Sequence, residues 1–104
     1  MKNLAWNSYI RKLSDFPELT SQWEIDMVNE IKGKMPKGGT KNVLEVGCSN
    51  GRWLRWFCKE YSCEGYGVDN NAAGFRKRDM NFLVGDAFKL PYQDNIFDVV
   101  FSLG

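Results

Sequence analysis

Between Asn42 and Gly51 a short apolar run, Asn42-Val43-Leu44-Glu45-Val46, ends on Gly47, and a second glycine follows at Gly51. Apolar and β-branched residues on both parities of the run predict a strand covered on both faces, as a strand inside a parallel sheet must be. Past the glycines the period changes. From 51 to 61 the apolar residues Trp53, Leu54, Trp56, Phe57 and Cys58 are interleaved with Arg52, Arg55, Lys59 and Glu60 at helical spacing. Strand, glycine turn and helix is therefore the unit from which the rest of the fold has to be built.

The unit repeats. Cys63 to Val68 reads as a second strand, Ala72 to Arg78 as a short helix, Asn81 to Val84 as a third strand and Phe97 to Leu103 as a fourth. Strands interleaved with helical segments give βαβ units, so the expected class is α/β, with a doubly wound parallel sheet of about four strands and right-handed crossovers. Residues 1–39 read as a helical N-terminal extension of the same single domain, with 40–104 forming the α/β part. In that extension Trp23, Met27 and Ile31 recur at i, i+4 and i+8, with Leu19 and Val28 on or beside the stripe. Pro17 fits the first turn of this helix, Ser14 and Asp15 precede it as caps, and Gly33, Pro36, Gly38 and Gly39 mark its end. Trp6 to Leu13 reads as a further short helix whose Trp6 and Tyr9 cover the core or lie over a ligand.

A chain of 104 residues that is 43% hydrophobic, with seven Phe, four Tyr and four Trp, can bury a core large enough to offset its chain entropy. Lys and Arg total 14 against 13 Asp and Glu, and a net charge of +1 offers no electrostatic footprint for a nucleic-acid backbone. The densest basic cluster, Arg76-Lys77-Arg78, reads as a solvated helix end. Cys48, Cys58 and Cys63 form no C-x-x-C pair, and no histidine exists to complete a metal set, so neither structural zinc nor another metal site is expected. Unpaired thiols without a leader pattern fit a reducing cytoplasm. No stretch approaches the ~20 apolar residues that cross a bilayer. The lack of histidine also removes the usual general base at neutral pH.

Chemistry is expected at the carboxyl ends of the strands. Gly47 closes the first strand where the chain must turn sharply, and Gly51 opens the helix where a side chain would obstruct close packing. The turn aims backbone N–H groups and a positive helix end outward, which suits a carboxylate or a nucleotide. By itself it is equally compatible with a tight βα turn that holds no ligand. Asp69 ends Tyr66-Gly67-Val68-Asp69, eighteen residues beyond Gly51, where a carboxylate can accept two hydrogen bonds from a ribose diol. A helix N-cap at Asp69 or Asn70 is compatible with that role. Gly85-Asp86-Ala87, following Phe82-Leu83-Val84, again sets an acid just past a strand. Three such turns fall on the edge where open α/β sheets bind ligands.

In this order the motifs resemble the class I S-adenosylmethionine-dependent methyltransferases, in particular the generic small-molecule methyltransferase domain. The resemblance runs from Asn42 to about Leu103, roughly three-fifths of the chain. It is carried by Leu44-Glu45-Val46-Gly47-Cys48-Ser49-Asn50-Gly51, by Gly67-Val68-Asp69, by Gly85-Asp86-Ala87 with Leu90-Pro91-Tyr92, and by Asp94 to Ser102. It implies a Rossmann-like fold, S-adenosylmethionine as cofactor, S-adenosylhomocysteine as product, and methyl transfer to a small-molecule acceptor. By the same resemblance Glu45 organises the loop and holds the methionyl ammonium through water, while the backbone from Gly47 through Cys48 and Ser49 to Gly51 passes the methionine portion. Asp69 binds the ribose hydroxyls, Asn70 stands beside adenine, Asp86 accepts from the adenine amino group with the Ala87 N–H near the ring, and Ser102 borders the methyl donor. Asp98 supports the fourth strand rather than the ligand. Two positions depart from the pattern: Ser49 replaces a glycine, and Asn70 replaces a residue that is commonly apolar. A nicotinamide-dependent dehydrogenase would need glycine at 49 and 52, where the chain has Ser49 and Arg52.

The resemblance also implies three more strands beyond the fourth. Phe97, Val99, Val100 and Phe101 are apolar on both faces, so the fourth strand is expected to pair onward. The chain is accordingly expected to be the cofactor-binding half of a methyltransferase: a truncation, one of two polypeptides, or a protein that self-associates through Phe97 to Leu103. The alternative is a non-catalytic module that binds S-adenosylmethionine or works by association. No Asn/Asp-Pro-Pro-Tyr signature for amino-group methylation follows the fourth strand, and neither the acceptor nor a catalytic residue is legible.

Overall fold

The computed structural model describes residues 17–75, 80–93 and 95–103. Four strands form one sheet, β1 (Asn42–Val46), β2 (Glu64–Asp69), β3 (Asn81–Val84) and β4 (Val99–Phe101), in the order β3-β2-β1-β4. Every pairing is parallel, with Leu44 opposite Tyr66 and Val100, and Val68 opposite Leu83. The order reverses between β1 and β4, so a crevice opens beyond the carboxyl ends of the strands, as in doubly wound sheets.

β1 lies between β2 and β4 and is covered on both faces, with Val43 and Leu44 almost fully buried. Helix α1 (Gln22–Lys34) and helix α2 (Arg52–Tyr61) pack on the face that carries Val43. The α2 side chains Trp53, Leu54, Trp56 and Phe57 supply most of the core there, and Phe57 stacks on Phe101 of β4 at 5.1 Å. Trp53 and Trp56 are thus core residues. The opposite face carries a smaller aromatic group in which Phe97 meets Tyr66 at 5.2 Å and Tyr92 at 4.9 Å.

Several boundaries differ from the expectation. The first described helix starts at Gln22, and Pro17 precedes it rather than sitting in its first turn. Ser21 is the N-cap: its hydroxyl accepts from the Glu24 N–H at 3.4 Å and donates to Glu24 Oε1 at 3.1 Å. This side-chain reciprocity between cap and third helical residue fixes the start. Of the expected stripe, Val28 is buried and Met27 and Ile31 pack on the core, while Trp23 is 55% exposed with one face against Trp53 at 6.0 Å, and Glu24 joins the buried side. Glu24 is drawn inward by Arg52 of α2, 3.4 Å away. β2 runs one residue further than expected and includes Asp69. The short helix is a single 3-10 turn over Ala72–Gly74, begun by the Asn71 side chain accepting from the Ala73 N–H at 2.9 Å. β4 begins at Val99, since Phe97 turns its ring into the aromatic group and Asp98 caps backbone elsewhere.

The expected helix from Trp6 to Leu13, the caps Ser14 and Asp15, the cluster Arg76-Lys77-Arg78 and Asp94 lie outside the described residues. Within the described residues no helix is long and apolar enough to cross a membrane.

Candidate cofactor site

The site grows from the turn between β1 and α2. Gly47 N–H donates to the Val68 carbonyl at 2.8 Å, continuing the β1–β2 ladder past the end of the strand. The chain then folds back so that Gly51 N–H reaches the Cys48 carbonyl at 2.8 Å. Ser49 and Gly51 both take left-handed backbone, at φ 54° and 77°. At Gly51 a Cβ would lie 2.7 Å from the Phe82 ring, so the expected obstruction by a side chain is present. Ser49 does adopt the conformation that glycine favours, which costs an L-residue about 1–2 kcal/mol. Asn50, 1% exposed, supplies what Gly51 cannot: its Oδ1 accepts from the Arg52 N–H at 3.1 Å.

Asp69 ties the two neighbouring turns together. Its Oδ2 accepts from the Ser49 N–H at 2.9 Å and its Oδ1 from the Asn71 N–H at 3.0 Å. A carboxylate has about four acceptor positions, so each oxygen keeps one for a ligand hydroxyl. The loop that Asp69 holds and the ligand it can bind are therefore coupled through one side chain.

Beyond β3, Gly85 N–H donates to the Asp69 carbonyl at 3.0 Å, which brings the third turn against the second. Asp86 Oδ1 accepts from the Phe88 N–H at 2.9 Å, and Lys89 N–H donates to the Asp86 carbonyl at 3.1 Å. This tight turn leaves Asp86 exposed, with its second carboxylate oxygen available.

These turns enclose a cavity of about 570 Å³ at the carboxyl edge of the sheet. Six of the residues expected at the site line it: Gly47, Asp69, Asn70, Asp86, Ala87 and Ser102. Glu45, Cys48, Ser49 and Gly51 do not. They stand behind the cavity, Ser49 and Gly51 by shaping the loop, and Cys48 by packing its thiol over Gly67. Burial pushes the Cys48 thiol far up, with the carboxylates of Glu45 and Asp69 adding to the effect, so it stays neutral.

Glu45 is 3% exposed, and its Oε1 has no hydrogen-bond partner. Burial holds its carboxyl well above the usual range, opposed by a hydrogen bond from the Leu54 backbone N–H and reinforced by the negative Asp69. Burial and Asp69 both favour the neutral acid, whose Oε1 stays unsatisfied behind the loop.

Sequence reasoning left out the apolar walls Val46, Val68 and Val84 and the fully exposed ring of Phe88 at the rim. Val46 and Val84 end β1 and β3 and Val68 is the last but one residue of β2, so strand position alone could have flagged them. Phe88 had no such signal. Asp98 stays out of the cavity: its Oδ2 accepts from the N–H groups of Lys41 at 2.8 Å and Asn42 at 2.9 Å, anchoring the start of β1 to that of β4. Those two bonds hold its carboxyl below the ordinary aspartate range.

Residues 43–104 match the methyltransferase domain family, well over half of the chain and the whole of the site. The chain belongs to the class I methyltransferases. The cofactor of that family is S-adenosylmethionine. This methyltransferase domain is 37% identical over 73 residues to the phthiotriol/phenolphthiotriol dimycocerosates methyltransferase of Mycobacterium tuberculosis, covering 62% of the chain and 27% of that protein. It is 31% identical over 99 residues to the fatty-acid O-methyltransferase of Mycolicibacterium smegmatis, covering 88% of the chain and 35% of that protein. The chain thus spans about a quarter to a third of the curated relatives' length. Among solved structures, the PH0226 protein of Pyrococcus horikoshii superposes with a TM-score of 0.60 at 27% identity, over 89% of this chain and 49% of that one.

Proposed function

We propose that this methyltransferase domain binds S-adenosylmethionine in the cavity between the ends of β1, β2, β3 and β4, and presents its methyl group to a small-molecule acceptor. The observation that carries the reading is the convergence of Asp69, Asp86 and Gly47 on one cavity of about 570 Å³, a size suited to a nucleoside-containing ligand. The bound cofactor supplies an electrophilic methyl on a sulfonium. The chain's own residues have four tasks. Asp69 accepts from the ribose hydroxyls with its two remaining lone pairs while keeping the Ser49 and Asn71 N–H groups in place. Asp86 and the Ala87 backbone read the edge of the base, and Val46, Val68 and Val84 exclude water from its face. Glu45, behind the loop, keeps a buried Oε1 without a partner, which can accept a hydrogen bond from the methionyl ammonium through water. Ser102 borders the side from which an acceptor approaches. In-line displacement on an activated donor needs alignment and dryness more than a base, which agrees with a chain that has no histidine.

Titration calorimetry with S-adenosylmethionine and S-adenosylhomocysteine tests the reading. One ligand per chain is expected, weakened at least about tenfold by Asp86→Ala, a loss of the size a charged hydrogen bond carries. No heat from a folded sample contradicts it. Binding without methyl transfer to any acceptor would make the chain a cofactor-binding module.

We propose further that the free edge of β4 mediates self-association. Among the described residues no strand pairs with the outer edge of β4, Val100 at its centre is 56% exposed, and an apolar edge of this kind invites pairing. Sedimentation velocity at micromolar concentration is expected to show a dimer, and a monomer contradicts this part of the reading.

A further inference from the structure

We propose that Cys58, Cys63 and Met80 form a binding site for a soft monovalent cation, Cu(I), at the amino end of the sheet, opposite the cofactor cavity. The Cys58 and Met80 sulfurs converge over Gly65 near the start of β2. The position a Cβ would take on Gly65 lies 2.6 Å from Cys58 Sγ and 2.7 Å from Met80 Sδ. The two sulfurs are therefore separated by no more than those distances laid end to end, a limit that admits the ~4.6 Å two sulfurs span across one metal at about 2.3 Å each. The Cys63 thiol is hydrogen-bonded to that of Cys58, which adds the third sulfur to the same group.

Local structure holds each donor where it is. α2 ends at Ser62 in left-handed backbone, and the Cys63 N–H returns to the Cys58 carbonyl at 3.3 Å, so one turn ties the two thiols together. Met80 immediately precedes β3, and its neighbour Asn81 donates from Nδ2 to the Gly65 carbonyl at 3.0 Å. All three side chains are partly buried against the core, so little ordering is left to be done on binding. Gly65 makes the convergence possible, since any side chain there would occupy the space of the sulfurs.

The donor set selects the metal. Two thiolates and a thioether suit Cu(I), whereas zinc takes four ligands from cysteine, histidine and carboxylate. Among the described residues no group of three or more such side chains could hold a metal. Binding replaces the two thiol protons, which are released to solvent, with one copper ion whose oxidation state does not change.

The test is an anaerobic Cu(I) titration of the protein in competition with bathocuproine disulfonate. One Cu(I) per chain is expected. Cys58→Ser and Cys63→Ser should each weaken binding more than about 100-fold, beyond what loss of an outer-sphere partner does. Met80→Leu, a volume-conserving change that leaves the fold intact, should weaken it by about tenfold. Cys48→Ser should retain the affinity of the parent. Copper remaining wholly with the chelator, or Met80→Leu and Cys63→Ser binding like the parent, overturns the proposal. Should Cys58→Ser fail to fold by circular dichroism, the Met80→Leu result decides.

Discussion

Replacing Gly51 by alanine separates what the glycine loop does for the fold from what it does for a ligand. Two costs arise at Gly51. Holding an L-residue at φ 77° costs about 1–2 kcal/mol. The new methyl also lands 2.7 Å from the Phe82 ring, which is stacked on Phe75 at 4.9 Å and so has little room to retreat; overpacking of this kind costs about 1–3 kcal/mol. The stiffer unfolded chain returns about 0.4–1 kcal/mol. The net destabilisation expected for Gly51→Ala is about 3 kcal/mol, a fall of about 2 M in the urea midpoint for a domain of this size. Gly47 has similar backbone, at φ 75°, but nothing lies within 4 Å of its Cβ position. Gly47→Ala should therefore cost only about 1 kcal/mol. Because Gly47 lines the cavity, its methyl should instead weaken cofactor binding. Urea denaturation followed by the fluorescence of the core residues Trp53 and Trp56 measures both variants. Destabilisations within about 0.5 kcal/mol of each other would refute the close approach of Phe82 to the loop.

Two further outcomes follow from local structure. Ser21→Ala removes the cap on α1 and should lower stability by about 1 kcal/mol, with Ser21→Asn restoring most of it; thermal unfolding of the three proteins checks this. Asp98 has a folded pKa below its ordinary 3.8, so its contribution is present above that pH and is lost as pH falls through the folded value. Asp98→Asn should therefore flatten the decline of melting temperature below pH 3.8, and an unchanged acid limb would show that the bonds to Lys41 and Asn42 carry no proton linkage.

Much of the fold was legible because parallel strands buried on both faces write themselves as unbroken apolar runs. Asn42–Val46, inside the sheet, has the expected bounds for this reason, Asn81–Val84 keeps them although it is an exposed edge strand, and α2 occupies the segment its helical spacing marked. The misread boundaries share a cause: a side chain satisfied backbone groups that periodicity cannot see. Ser21 and Glu24 set the start of α1, Asn71 turns the expected helix into a 3-10 turn, and Asp98 leaves the strand to bind Lys41 and Asn42. On α1 the stripe through Met27, Val28 and Ile31 was legible, but not the burial of Glu24, a residue that pattern reading assigns to solvent and that Arg52 draws inward. At the site, Asp69, Asp86 and Gly47 were found because each follows or ends a strand. The division between residues that line the cavity and residues that shape the loop behind it was not legible, because Glu45, Cys48 and Ser49 differ from Gly47 only in the direction the backbone gives them. The sulfur group around Gly65 was hidden for a similar reason. Cys58 and Met80 are far apart in the chain and meet only once β2 and β3 pair.

Amide chemical-shift mapping with S-adenosylhomocysteine reads out whether the one cavity at the carboxyl edge holds the cofactor. Perturbations are expected to concentrate at Gly47, Ser49, Asp69, Asn70, Asp86 to Phe88 and Ser102, with the amides around Gly65 unmoved. Shifts absent from these residues, or gathered instead around the Tyr66, Tyr92 and Phe97 rings, would contradict it.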